Sequence, residues 1–168
     1  MASLADVFRV LVQLREEGIV TDYAIGGATA VLFYAEPTRT YDVDVFARLP
    51  SVDQSGLVSL APLYRWAESH GFTVDAEHVV VHGVPVQILP AYNALVVDAI
   101  HTARVHEYQG VSVRVVDPEH LIALALQVGG ARRRERAWLL LQAGVADRLH
   151  LRALLDTHGI DAEIPDET

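Results

Sequence analysis

Apolar residues Leu4, Val7, Phe8, Leu11, Val12 and Leu14 fall mostly on one stripe at helical spacing. They predict an amphipathic helix over 4–17, closed by Gly18. After a connector, Tyr23-Ala24-Ile25 reads as a short buried strand, followed by Gly26-Gly27 and a small-residue helix to Tyr34 that Pro37 stops. A second strand, Tyr41 to Phe46, alternates: Asp42 and Asp44 share one face while Val43 and Val45 take the other, core-facing side. The spacing predicts a helix over 53–70, kinked or divided at Pro62, and strands over 72–74, 78–81 and 84–89. The last two are joined by a hairpin signal at His82-Gly83. A helix over 94–103 precedes a hairpin of 104–108 and 111–116 around Gln109-Gly110. Asp117-Pro118-Glu119 supplies an N-cap, a first-turn proline and a first-turn acid for an almost wholly apolar helix ending near Val128. Gly129-Gly130 breaks it; helices over 131–143 and 145–158 follow, then an acidic tail.

This order, helices and strands alternating and then three C-terminal helices, predicts an α/β (α+β) protein with a mixed sheet and a helical bundle. With 168 residues and no repeat or linker, one domain is expected over 1–168, with a core of about 1–116 and a helical part of about 117–160. Hydrophobic residues make up 51% and charged residues 21%, enough to bury a core. No apolar run reaches the ~18 residues of a membrane span, and the N-terminus lacks signal-peptide character, so a cytoplasmic location without membrane contact is expected. The absence of cysteine rules out disulfides, thiolate metal sites and cysteine nucleophiles. The eight histidines, among them His78 and His82, follow no ligand spacing and read as surface or core residues. A net charge of −9 argues against a broad nucleic-acid surface without excluding a local basic pocket.

The chemistry concentrates between Tyr23 and Phe46. Two carboxylates on one strand face repel each other unless solvent or a cation screens them. A hard divalent ion is the simplest neutraliser, since Mg2+ takes one or two carboxylates plus substrate phosphates. The glycine pair lets backbone N–H groups approach a phosphate. Thr29 is placed to add a hydroxyl contact. Arg39, in the loop before the acids, either forks to phosphate oxygens or pairs with Glu36 or the aspartates to shape the loop.

Ile25-Gly26-Gly27, a helix, and then Asp42-Val43-Asp44-Val45 resemble the nucleotidyltransferase superfamily typified by DNA polymerase beta. Within it the chain is most similar to small bacterial AbiEii-type abortive-infection toxins and other minimal nucleotidyltransferases. The resemblance implies a nucleotidyltransferase core, Mg2+ or Mn2+ on Asp42 and Asp44, and an NTP whose phosphates lie at Gly26 and Gly27. It also implies a third acid on the strand beside the Asp-x-Asp strand, and that position falls on Gln87, which can neither act as a base nor bring charge to a metal. AbiEii-like relatives often carry a lysine in the helix that here reads Leu121 to Gln127 and has none. Asp98 is a conceivable substitute carboxylate, though a solvated helix charge is the simpler reading. Arg132, Arg133, Arg134 and Arg136, the concentrated basic patch, either contact a polyanion (the triphosphate or an RNA) or form a solvated helix start.

The expected function is Mg2+-dependent transfer of an NMP from an NTP to an acceptor hydroxyl on RNA, protein or a small molecule. The alternative is a weakly active or inactive nucleotide- or partner-binding protein of the same fold, in a toxin–antitoxin or phage-defence role with a partner protein.

Overall fold

The computed structural model describes residues 3–36, 42–50 and 58–165. Its strands are β1 (Asp22–Ile25), β2 (Val43–Arg48), β3 (Thr73–Asp75), β4 (His78–Val81), β5 (Val84–Pro90), β6 (Arg104–Tyr108) and β7 (Val111–Val115). They form one mixed sheet in the order β3-β4-β5-β2-β1-β7-β6. β2 pairs with β5 and β1 with β7 in parallel; the other pairings are antiparallel. Both predicted two-residue hairpins are present. His82 and Gly83 have φ of 48° and 84°, and Gln109 and Gly110 have 47° and 80°, the paired positive values whose twist suits a tight hairpin.

The helices are α1 (Leu4–Glu16), α2 (Gly27–Val31), α3 (Ala61–Ser69), α4 (Ala94–His101), α5 (Pro118–Val128), α6 (Ala131–Gln142) and α7 (Arg148–Thr157). Val79, Val81, Val86 and Ile88 point to one side of the sheet, where they meet Leu11 of α1 and Leu63 and Trp66 of α3. The other side carries Asp44 and Phe46 and is met by α2, α5 and α6. The parity read from the sequence is what separates acids from core: Val43 and Val45 are each 1% exposed.

Several boundaries differ from expectation. α2 stops at Val31, and the chain tightens into i→i−3 bonds, Phe33 N–H to Ala30 O and Tyr34 N–H to Val31 O. Pro62 does not kink a long helix; it lies in the first turn of α3, where its missing N–H disturbs no helical bond. Residues 51–57, the predicted start of that helix, lie outside the described residues. α7 begins at Arg148 because the Asp147 carboxylate accepts from Leu149 N–H and His150 N–H.

α5 is the hinge-pin of the helical part. Its cap Asp117 accepts from His120 N–H at 2.8 Å, and Leu121 to Leu124 are buried. His120, itself 1% exposed, bridges Asp117 (2.8 Å) and Asp98 of α4 (2.9 Å). Glu119 accepts from Asp147 N–H at 2.6 Å and lies 3.5 Å from Arg104. A polar seam thus joins α4, β6, α5 and the cap of α7.

Candidate functional site: paired carboxylates beneath a glycine corner

The site is built at the start of β2, with Asp42 just before the strand and Asp44 within it. Asp42 is about half exposed, Asp44 is partly buried, and the strand alternation sends both to the helix-covered face. β1 runs antiparallel alongside, with Ile25 opposite Val45, and Gly26 N–H continues the ladder by donating to Asp44 O at 2.9 Å. The chain then turns into α2 directly above Asp44. Gly27 has φ of +56°, and a Cβ there would lie 2.4 Å from Asp44 Oδ2. A Cβ on Gly26 would lie 2.4 Å from the Phe46 ring. Both positions therefore exclude a side chain, and only glycine lets the helix start rest on the carboxylate.

The two glycines divide their work. Gly26 N–H is already bonded within the sheet, so of the pair it is Gly27 that faces the pocket. Thr29 also differs from expectation: it is 1% exposed, and its hydroxyl donates to Asp42 O at 3.2 Å. It positions the acid strand instead of presenting a free hydroxyl.

Burial pushes the Asp44 carboxyl up, and the neighbouring Asp42 charge adds to the effect; Arg136, His78 and Arg133 act against it. Two oxygen-donor acids, one destabilised as an anion, under a corner that admits no side chain, fit a hard divalent cation. Among the described residues no third His, Cys, Asp or Glu joins them in a metal-binding group.

Across the sheet Asp44 pairs with Gln87 of β5, and Gln87 pairs with His78 of β4, forming one row. Gln87 therefore stands beside the acid strand where the resemblance places a third acid. His78 Nε2 lies 3.9 Å from Asp42 Oδ2. Above the row, a pocket of about 130 Å3 is lined by Gly27, Asp44, Arg133 and Arg136 together with Phe46, Leu89, Tyr92, Leu124 and Val128. The basic patch is thereby split. Arg133 and Arg136, three apart on α6, share a face and line the pocket, whereas Arg132 and Arg134 do not line it.

The family described as "Nucleotidyl transferase of unknown function (DUF2204)" matches residues 3–152. The chain belongs to this nucleotidyl transferase family. Solved structures agree on the fold. The antibiotic-resistance factor ANT(2'')-Ia in solution superposes with a TM-score of 0.55 at 15% identity, over 95% of this chain and 93% of that one. A crystal structure of ANT(2'')-Ia with adenylyl-2''-tobramycin gives 0.52 at 15% identity, over 90% and 94%. An antigenic nucleotidyltransferase-like protein from Paracoccidioides brasiliensis gives 0.57 at 19% identity, over 90% and 85%. No curated protein sequence matches the chain.

Within this nucleotidyl transferase, Asp98 does not join the acid pair; its carboxylate is hydrogen-bonded to His120. Arg39 lies outside the described residues. Sequence reading missed His78 and Tyr92. His78 was recoverable: counting back from the His82-Gly83 turn pairs 81 with 84 and so 78 with 87. Tyr92 had no such signal, because its place depends on how α5 and α6 pack over the sheet. Among the described residues no helix is long and apolar enough to cross a membrane.

Proposed function

We propose that the chain transfers a nucleotidyl group from an NTP to an acceptor hydroxyl, with Asp42 and Asp44 holding a divalent ion, Mg2+ or Mn2+. The observation that carries this reading is the convergence, around one pocket, of Asp44 beside Asp42, the side-chain-free corner at Gly27, and Arg133 and Arg136. When bound, the ion neutralises charge on the acids and phosphates and favours attack at phosphorus. Gly27 leaves room for phosphate oxygens at the start of α2. Arg133 and Arg136 offer guanidinium donors to the same oxygens, in the role that the resemblance gives to a lysine absent from α5. Thr29 holds the Asp42 backbone in place. The acceptor oxygen bonds to the α-phosphorus, the bond to the bridging oxygen breaks, pyrophosphate leaves, and the acceptor proton passes to solvent. Gln87 orients by hydrogen bonding but takes no proton.

The acceptor is a hydroxyl on RNA, protein or a small molecule; ANT(2'')-Ia, whose structure holds adenylyl-2''-tobramycin, illustrates the last class. Gln87 also favours a second reading: a slow or inactive nucleotide-binding relative, of the AbiEii kind, working with a partner protein in a cytoplasmic toxin–antitoxin or phage-defence setting.

The test is calorimetric titration with each NTP and Mg2+, comparing the wild type with Asp42→Asn and Asp44→Asn. Metal-dependent binding that both variants lose supports the reading. Binding that survives both refutes the assignment, and absence of label transfer from α-labelled NTP into cell extract, despite binding, selects the second reading.

A further inference from the structure

The pocket beside Asp44 is lined by apolar as well as charged side chains, and the apolar ones have no role in holding phosphate. Tyr92 is 56% exposed and Val128 is 53% exposed, two exposed apolar surfaces lining the same pocket. Phe46 underlies Tyr92, their ring centroids 6.4 Å apart at 60°. Leu89 and Leu124 complete the apolar walls. Resting on the nucleotidyl-transfer reading of this pocket, we propose that Tyr92 is the platform on which the nucleobase stacks, beside the apolar lining that α5 contributes through Leu124 and Val128.

Three observations favour a base as the occupant. Gly27, Asp44 and Arg133 line the same pocket as Tyr92 and Val128, so a ligand whose phosphates lie at the first three reaches the other two. Arg133 lines the pocket together with both Asp44 and Tyr92, which ties the phosphate-binding residues to the ring. A volume of about 130 Å3 is below the ~300–1,000 Å3 that encloses a whole drug-sized ligand, so it houses part of one. A polycationic acceptor is disfavoured there, because it would meet two arginines at close range. Stacking on an aromatic ring is tolerant of base identity, so every NTP binds and purines bind tighter than pyrimidines.

The experiment compares ATP with inorganic tripolyphosphate, which has no base, by calorimetry in Mg2+. Wild type binds ATP more tightly than tripolyphosphate. Tyr92→Ala weakens ATP binding about 10- to 100-fold and leaves tripolyphosphate affinity where it was, which also reports that the variant is folded; Tyr92→Phe restores ATP affinity. Val128→Asn, which puts a polar but uncharged group in the apolar lining, weakens ATP selectively in the same way and serves if Tyr92→Ala loses its fold. Equal affinity of the wild type for ATP and tripolyphosphate, or unchanged ATP binding in Tyr92→Ala and Val128→Asn, overturns the inference while leaving the phosphate site intact. Failure of the wild type to bind either ligand overturns both it and the transfer reading.

Discussion

Asp44 is held as an anion against its own preference. Its carboxyl titrates above the ordinary 3.8, first because it is buried and then because Asp42 is charged beside it. A folded-state pKa above the unfolded one means that the folded protein binds the proton more tightly. Ionised Asp44 therefore costs stability, and the cost grows as pH rises above 3.8 and levels off once pH has passed the raised value. Asp44→Asn should raise the neutral-pH melting temperature, with the gain shrinking in acid, while abolishing Mg-NTP binding; a thermal melt series against pH measures both. Gly27→Ala should do the opposite to the fold. Its positive φ and the 2.4 Å approach to Asp44 predict a loss of about 1–3 kcal/mol, read by urea denaturation, together with lost nucleotide binding. Gln87, opposite Asp44 on β5, is the residue to change for a gain. A positioned base contributes about 10²–10⁴-fold to rate, so Gln87→Glu should accelerate label transfer from α-labelled NTP by at least about tenfold. An unchanged rate would show that proton removal does not limit the reaction.

At the level of elements, alternation and turn chemistry were legible, and helix lengths much less so. Asp42-Val43-Asp44-Val45 placed acids and core by parity alone, and the two loops with paired positive φ set both hairpins. α2 and α3 came out shorter than the apolar pattern suggested, because Pro62 starts a helix as readily as it kinks one and small residues carry little periodic signal. What could not be read was the seam at α5. Asp117 was legible as a cap, but nothing local shows that His120 reaches Asp98 across to α4, which is why Asp98 looked like a solvated charge. The seam is titratable. Burial disfavours the His120 imidazolium, yet the hydrogen bonds it donates to Asp117 and Asp98 outweigh burial and raise its pKa above 6.5. Burial likewise opposes ionised Asp117, but its bonds to His120 prevail and hold it below 3.8. The His120 contribution is full below 6.5 and fades as pH climbs through the raised value; the Asp117 contribution is full above 3.8 and fades in acid. His120→Gln should therefore cost about 3–5 kcal/mol in mildly acidic solution, by leaving the Asp117 carboxylate buried without its cation. The deficit should narrow at alkaline pH, a trend that urea midpoints across the range will report.

For the molecule as a whole, the distribution of charge matters more than its total. A chain of net charge −9 repels a nucleoside triphosphate at long range, and it gathers four arginines within five positions at the start of α6. Arginines in a helix's first turn oppose the helix dipole, so their concentration there needs another reason. Gly129 and Gly130, with φ of 77° and 94°, reverse the chain between α5 and α6 and bring that first turn back over β2. Arg133 and Arg136 thereby reach the neighbourhood of Asp44, whose carboxyl both of them pull down. Arg132 and Arg134 stay on the solvent side. If the patch serves the nucleotide, Arg133→Ala with Arg136→Ala should weaken ATP about 10- to 100-fold and flatten the salt dependence of binding. Arg132→Ala with Arg134→Ala should change neither. If the patch serves an RNA instead, the second pair should matter as much as the first for RNA retention in a filter assay and not at all for ATP. Equal loss of ATP affinity in both double variants would mean that α6 acts through its overall field, and the directed role of Arg133 and Arg136 would fall.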